Sequence, residues 1–208
     1  MNSEKVVNLF LEIADKIESE KTYITELDSI LGDGDHWVNI NKGYQEIVKM
    51  ADSLRTLPLN ELFMKVGMSI MSSVGGSSGV LYGDAFMKAS MTVKGCEEMD
   101  AQKGYVFLKT AMEAMMNRGK AQPGDKTMID PLFRVVEAYE AVLESGLDKA
   151  ELSRRISEAA ENGMLETESM EARKGRATYR EDKGVGHIDA GAATMYYQLD
   201  ALGRFIGR

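Results

Sequence analysis

The chain has 208 residues, 44% hydrophobic and 28% charged, a balance that suits one globular domain, 1–208, with a core that needs no covalent staples. Its formal net charge of −8 argues against a general nucleic-acid or anionic-membrane binder, whose affinity rests on clustered Lys and Arg, although it leaves room for one phosphate ligand in a local site. Cys96 is the one cysteine, so no intrachain disulfide is expected; there is no signal pattern and no apolar run near the roughly 18 residues of a membrane helix, and the expected location is the cytoplasm.

Apolar residues recur at helical spacing almost throughout. Val6, Phe10, Ile13, Ala14 and Ile17 form one stripe behind a cap at Ser3. Thr22 is placed to cap a second helix carrying Ile24, Leu27 and Leu31, and Asp28, four residues after Ile24, shares that face. A third helix is expected from near Asp35 to Met50, a fourth from Asn60 with Phe63, Val66, Ile70 and Val74 on one face, and a fifth over "GVLYGDAFMKASM". Asp100 caps a sixth. "TMIDPLFRVVEAYEAVLESG" is a seventh, with Pro131 tolerated in its first turn. Asp148 opens a charged eighth reaching about Lys174, and "HIDAGAATMYYQLDALGRF" is the last. With three prolines, 15 methionines and no alternating strand pattern, the expected fold is an all-helical bundle.

The chemistry gathers where these helices meet. In "GDGDHWVN", residues 32–39, Asp33 and Asp35 flank Gly34, and Asp28 lies just upstream. Like charges this close repel, and hard oxygen ligands suit magnesium. For Asp33 or Asp35 alone an N-cap for the following helix is the plainer reading, and Asp28 on the apolar face tips the balance toward a metal, because three unpaired carboxylates at a buried rim are costly. A calcium EF-hand is a poor fit: counted from Asp33, the sixth position is Val38 rather than glycine and the twelfth is Tyr44 rather than glutamate.

"GGSSGVLYG", 75–83, opens a helix with glycines and serines, which fits either an anion site or an interhelical turn. "GKAQPGDKT", 119–127, is not a P-loop, because Asp125 intervenes before Lys126 and Thr127 and the preceding segment is helical; a basic phosphate or adenine loop fits. In "RKGRATYREDKGVGHIDAGA", 173–192, Arg176 suits a phosphate, with a solvated basic face as the alternative. His36 and His187 have no zinc spacing, and Cys96 reads as a packed thiol.

Taken together, "DSILGDGDH", "GGSSGVLYG", "GKAQPGDKTMID" and "GRATY…GHIDAGA" resemble, in order and spacing, the ADP-binding L subunit family of dihydroxyacetone kinases, DhaL, nearly end to end. The resemblance implies a barrel of about eight antiparallel helices with the nucleotide, tightly bound ADP/ATP, at one end. It implies that Asp28, Asp33 and Asp35 hold two Mg2+ ions. The stretch His36, Trp37, Val38 and Asn39, with Ser77 and Ser78, would contact nucleotide and phosphates. Gly119 and Met128 would line the adenine side, while Arg176 and the turn Asp189, Ala190, Gly191 would close the site. Trp37 stands where the family usually has a small residue and Ala190 where it often has proline; the first is expected to alter a partner surface and the second to loosen a loop. The length matches the separate-subunit kinase, in which a phosphohistidine-carrying M subunit of the phosphotransferase system phosphorylates bound ADP and the ATP formed serves dihydroxyacetone on a K subunit. A homodimer is compatible with this. The alternatives are an L-like nucleotide-binding regulator or coactivator without phosphoryl transfer, and a plain helical scaffold with a capped acidic turn.

Overall fold

The computed structural model describes residues 1–146 and 148–208. Among these are nine α-helices and no strand: α1 (Ser3–Ser19), α2 (Lys21–Leu31), α3 (His36–Arg55), α4 (Leu59–Ser73), α5 (Gly76–Ser90), α6 (Ala101–Gly119), α7 (Ile129–Ser145), α8 (Lys149–Glu166) and α9 (Ala190–Ile206). Each answers to one helix expected from the periodicity. No helix among the described residues is long and apolar enough to cross a membrane.

The helix ends separate real caps from apparent ones. Asp100 and Asp148 cap α6 and α8, accepting hydrogen bonds from the backbone N–H groups of Lys103 and Ala150. Ser3 does not cap α1: its hydroxyl donates to the Leu57 carbonyl, and Asn2 accepts from the Lys5 N–H instead. Thr22 lies inside α2, which starts after Glu20. Asn60 lies inside α4, which starts after Pro58. Helix α8 stops at Glu166, short of Lys174, and continues only as the 3-10 turn Thr167–Ser169. The reason is tertiary: the Thr167 carbonyl accepts a hydrogen bond from the Lys126 ammonium. Cys96 is half-buried rather than packed in a core.

The chain forms two compact units, each built from two separate stretches. Unit 1 comprises Met1–Asp15 and Asn39–Lys120; unit 2 comprises Lys16–Val38 and Ala121–Arg208. In unit 1, α4 packs on α5 and α5 on α6. Phe10, Phe63, Phe86 and Phe107 form its aromatic centre, with Phe10 edge-on to Phe63 and Phe86, and Phe63 stacked on Phe86. The α4–α5 crossing is close because it is made of glycine: a Cβ on Gly67 would fall 2.8 Å from the Gly83 carbonyl oxygen, and one on Gly83 would fall 2.9 Å from the Gly67 carbonyl oxygen.

In unit 2, α8 packs on α7 and α9, and α2 also meets α9. Leu27, Met164, Ala190, Ala192 and Ala193 share one buried cluster, so the first turn of α9 is part of the core. A Cβ on Gly163 would fall 2.5 Å from Pro131 Cα and 3.0 Å from the Asp130 carbonyl oxygen. Backbone cannot move aside as a flexible side chain does. Gly163→Ala should therefore destabilise by about 1–3 kcal/mol, the usual range for overpacking. Denaturant unfolding checks this, and a loss under about 0.5 kcal/mol would contradict the close approach.

Candidate functional site

The acidic cluster belongs to unit 2. Asp28 is in the last turns of α2, and Asp33 and Asp35 are on the exposed turn that follows. Gly34 takes φ +76°, a left-handed conformation that glycine adopts without steric cost and that lets the turn reverse between the two carboxylates. One oxygen from each of the three aspartates lies within 4.8 Å of the others. Three carboxylate oxygens at that spacing form a donor set that fits a hard divalent cation such as magnesium.

The capping role expected of Asp33 or Asp35 involves Asp28: the His36 N–H, at the first position of α3, donates to Asp28 Oδ2 at 3.0 Å. Asp33 instead meets the Arg176 guanidinium at 2.5 Å. Arg176 thus joins the site through a carboxylate of the cluster.

His36 ties the cluster to α9. Its Nε2 lies 2.9 Å from Thr194 Oγ1. The Thr194 hydroxyl gives its one proton to the Gly191 carbonyl at 3.0 Å. The imidazole Nε2 is therefore the donor in the His36–Thr194 bond. Burial pushes the His36 pKa down, against the attraction of Asp28 and Asp35.

Trp37 turns inward. It is 8% exposed, its indole N–H donates to the Ile17 carbonyl at 3.0 Å, and the Lys21 ammonium sits 4.4 Å from the ring centroid. Its bulk thus fills the interior, and the expectation of an altered partner surface is corrected. Val38 is 56% exposed.

Met128, Asp189 and Gly191 come together in the same unit. A Cβ on Gly191 would touch Asp189 Oδ2 at 2.9 Å and Met128 Cε at 3.7 Å. Asp189 caps α9 by accepting from the Ala192 N–H at 2.8 Å, and its own N–H donates to Thr167 Oγ1 at 3.1 Å. Ala190 is the first residue of α9 and packs in the core cluster, so the expected loosening at this position is opposed by burial.

Burial raises the Asp189 pKa to about 6. The native state then binds this proton between about pH 4 and 6, where the unfolded carboxyl has released it. The contribution of this group is full below about pH 4 and is lost as pH rises through 6. Asparagine caps as well as aspartate and carries no charge to bury. Asp189→Asn should thus be more stable than the parent chain at pH 8, by at most about 3 kcal/mol, and lose that advantage by pH 4. Urea unfolding at the two pH values decides it; a pH-independent difference would refute the shift.

Unit 1 holds the remaining expected residues. Gly75 precedes α5, and Ser77 and Ser78 lie in its first turn, where backbone N–H groups have no acceptor within the helix. Ser77 is exposed and Ser78 buried. Asn39 is beside this turn, since a Cβ on Gly75 would meet Asn39 Oδ1 at 2.8 Å. Gly79 passes the Val74 carbonyl so closely that a Cβ there would fall 2.3 Å from its oxygen. Gly119 ends α6, against Leu81.

Three residues had escaped the sequence reading. Thr167 and Thr194 carry no signal, because a threonine in a helical stretch is ordinary. Lys126 was visible only as part of a basic loop, and that loop is not a basic surface at this point. Lys126 is 1% exposed, and its ammonium donates to the carbonyls of Thr167 and His187, the latter at 2.6 Å. Asp125 and Asp130, both buried, accept backbone N–H bonds that fold the same loop: Gln122 to Asp125, and Gly124 and Thr127 to Asp130.

The model of the DAK2 domain family matches residues 30–204. The "PEP-dependent dihydroxyacetone kinase, ADP-binding subunit DhaL" of Escherichia coli (strain K12) is 32% identical, over 97% of this chain and 96% of its own. The "PTS-dependent dihydroxyacetone kinase, ADP-binding subunit DhaL" of Lactococcus lactis is 36% identical over 90% of each chain. Among solved structures, the dihydroxyacetone kinase of C. freundii in complex with AMP-PNP and Mg2+ superposes with a TM-score of 0.73 at 23% identity. That match covers 96% of this chain but only 33% of the larger one, and it supports the fold alone.

Proposed function

The chain belongs to the DAK2 domain family, and from that premise we propose that it is the ADP-binding subunit of a phosphoenolpyruvate-dependent dihydroxyacetone kinase. In this reading it holds the ADP that accepts a phosphoryl group from a phosphohistidine protein, the M subunit of the phosphotransferase system. The terminal phosphoryl group then passes to dihydroxyacetone on a separate K subunit. The cluster of Asp28, Asp33 and Asp35, with oxygens within 4.8 Å, is the observation that carries the reading. Likeness along almost the whole of a stand-alone ADP-binding subunit supports it over the fused kinases.

These three aspartates are the proposed holders of two Mg2+ ions. When bound, the cations would neutralise charge on the entering and leaving oxygens of an in-line phosphoryl transfer. Arg176, held on Asp33, supplies a planar guanidinium suited to a phosphate. The Asp28 carboxylate fixes the first turn of α3, and the His36–Thr194–Gly191 chain of bonds fixes that turn relative to the start of α9. Within unit 1, Ser77, Ser78 and the N–H groups of the first turn of α5 are by themselves a proposed anion-binding turn. No side chain needs to act as a nucleophile, because phosphoryl transfer demands positioning and charge neutralisation.

Thermal unfolding tests this directly. Magnesium plus ADP at about 1,000 times the dissociation constant should add roughly 4 kcal/mol. For a chain of this size that raises Tm by about 8–16 °C, and a chelator should reverse it. Melts indifferent to both ADP and chelator would remove the proposal. Mass spectrometry of denatured, freshly purified protein should in addition release ADP or ATP.

A further inference from the structure

Lys126 combines two costs at one residue. Its backbone is left-handed, with φ +62°, which a side-chain-bearing residue rarely adopts, and its ammonium is removed from water. Burial lowers its pKa, and the carboxylates of Asp189, Glu168, Asp130 and Asp182 act against that. These carboxylates include several already engaged. Asp130 takes the Gly124 and Thr127 N–H groups, Asp182 takes Arg180 and the Gly184 N–H, and Asp189 takes the Ala192 N–H. The ammonium goes instead to two main-chain carbonyls, those of Thr167 and His187.

Those two carbonyls sit at the ends of the segment that leads into α9. The first closes α8. The second lies two residues before the cap of α9. Around them the same junction is tied twice more, by the Gly186 N–H to the Glu168 carbonyl at 2.7 Å and the Asp189 N–H to Thr167 Oγ1. The lysine stem is covered by loop backbone: a Cβ on Gly184 would fall 3.1 Å from Lys126 Cε. Lys126 is also two residues from Met128, whose Cε would lie 3.7 Å from a Cβ on Gly191.

We propose that Lys126 is a positioning residue whose buried ammonium sets the Asp189–Gly191 turn, and through it the nucleotide affinity, without itself touching the ligand. This deepens the proposed function and rests on it. An ammonium suits the task because it can donate to two carbonyls at once, which an apolar side chain of equal length cannot.

The test compares Lys126→Met, which removes charge and donors, with Lys126→Arg, which keeps both. Hydrogen exchange on ligand-free protein, at a temperature where circular dichroism shows every variant folded, reads the turn. Exchange at 186–193 should quicken at least tenfold in the Met variant, with α4–α6 unchanged, and stay near that of the parent chain in the Arg variant. Calorimetric ADP affinity with magnesium should fall at least tenfold in the Met variant and return to within threefold in the Arg variant, even if overpacking lowers the Arg variant's Tm. Should the Met variant fail to fold, Lys126→Leu, which likewise removes charge and donors, carries the same comparison. Parental exchange at 186–193 in the neutral variant, or equal loss of affinity in both, would overturn the proposal. If the parent chain itself binds no ADP, the functional reading fails, while the exchange comparison still decides whether Lys126 sets the turn.

Discussion

Asp33→Asn and Asp35→Asn should each abolish magnesium-dependent ADP binding while leaving the helices in place. Each removes one charged oxygen donor from a set of three within 4.8 Å. Hard cations bind through such donors, and an amide oxygen is a much weaker replacement. The expected loss in apparent affinity is at least about 100-fold, or about 2.7 kcal/mol. The fold should not notice. Asp35 is exposed, and the Asp33–Arg176 pair is exposed enough on both sides to contribute roughly 0–1 kcal/mol. Relief of like-charge repulsion at Asp35 should even leave the ligand-free Tm unchanged or slightly raised. Titration calorimetry beside circular dichroism separates the two effects. Affinity like that of the parent chain in both variants would withdraw the metal assignment. Asp28→Asn is the poorer test, since Asp28 also accepts the His36 N–H and its loss would disturb the start of α3.

The second large effect concerns turnover. With phosphoenolpyruvate, the upstream phosphotransferase proteins and the K subunit, the chain should support many turnovers with no nucleotide added. If ADP is rephosphorylated in place, release between cycles serves no purpose. Rates bound what this requires. At about 10 turnovers per second, fewer than one loss per hundred cycles means an off-rate below roughly 0.1 per second. With association near 10⁶ M⁻¹s⁻¹, that sets Kd below about 100 nM. Labelled ADP, preloaded and followed through a desalting step while dihydroxyacetone phosphate is assayed, should stay with the protein. If turnover needs free ATP, or the label leaves within one cycle, the nucleotide is an exchanging substrate and the ATP-dependent kinases become the better comparison.

The helices were legible because apolar periodicity is a local signal, and α6 and α8 even showed their caps as Asp100 and Asp148. The acidic cluster was legible for the same reason: Asp28, Asp33 and Asp35 are neighbours in sequence. What stayed hidden depends on distant partners. Ser3 looked like a cap, but the Leu57 carbonyl claims its hydroxyl. Helix α8 looked as if it reached Lys174, but Lys126, 41 residues from Thr167, takes a carbonyl at its end. Trp37 resembled a surface departure because nothing local says that the Ile17 carbonyl receives its indole. Thr194 carried no chemical signature, yet it links His36 to Gly191.

Unit 2 is assembled from residues 16–38 and 121–208, and this discontinuity orders events during synthesis. Every residue of unit 1 has been made once the ribosome passes Lys120, whereas Asp28, Asp33 and Asp35 are made early and wait. His36 and Thr194 are 158 residues apart. At about 5–20 residues per second, His36 waits roughly 8–30 seconds for Thr194 to be added. Nascent chains released before Thr194 is added would carry all three acidic residues but lack the residue that anchors His36, so competence to hold a nucleotide should arrive abruptly, with the first turns of α9.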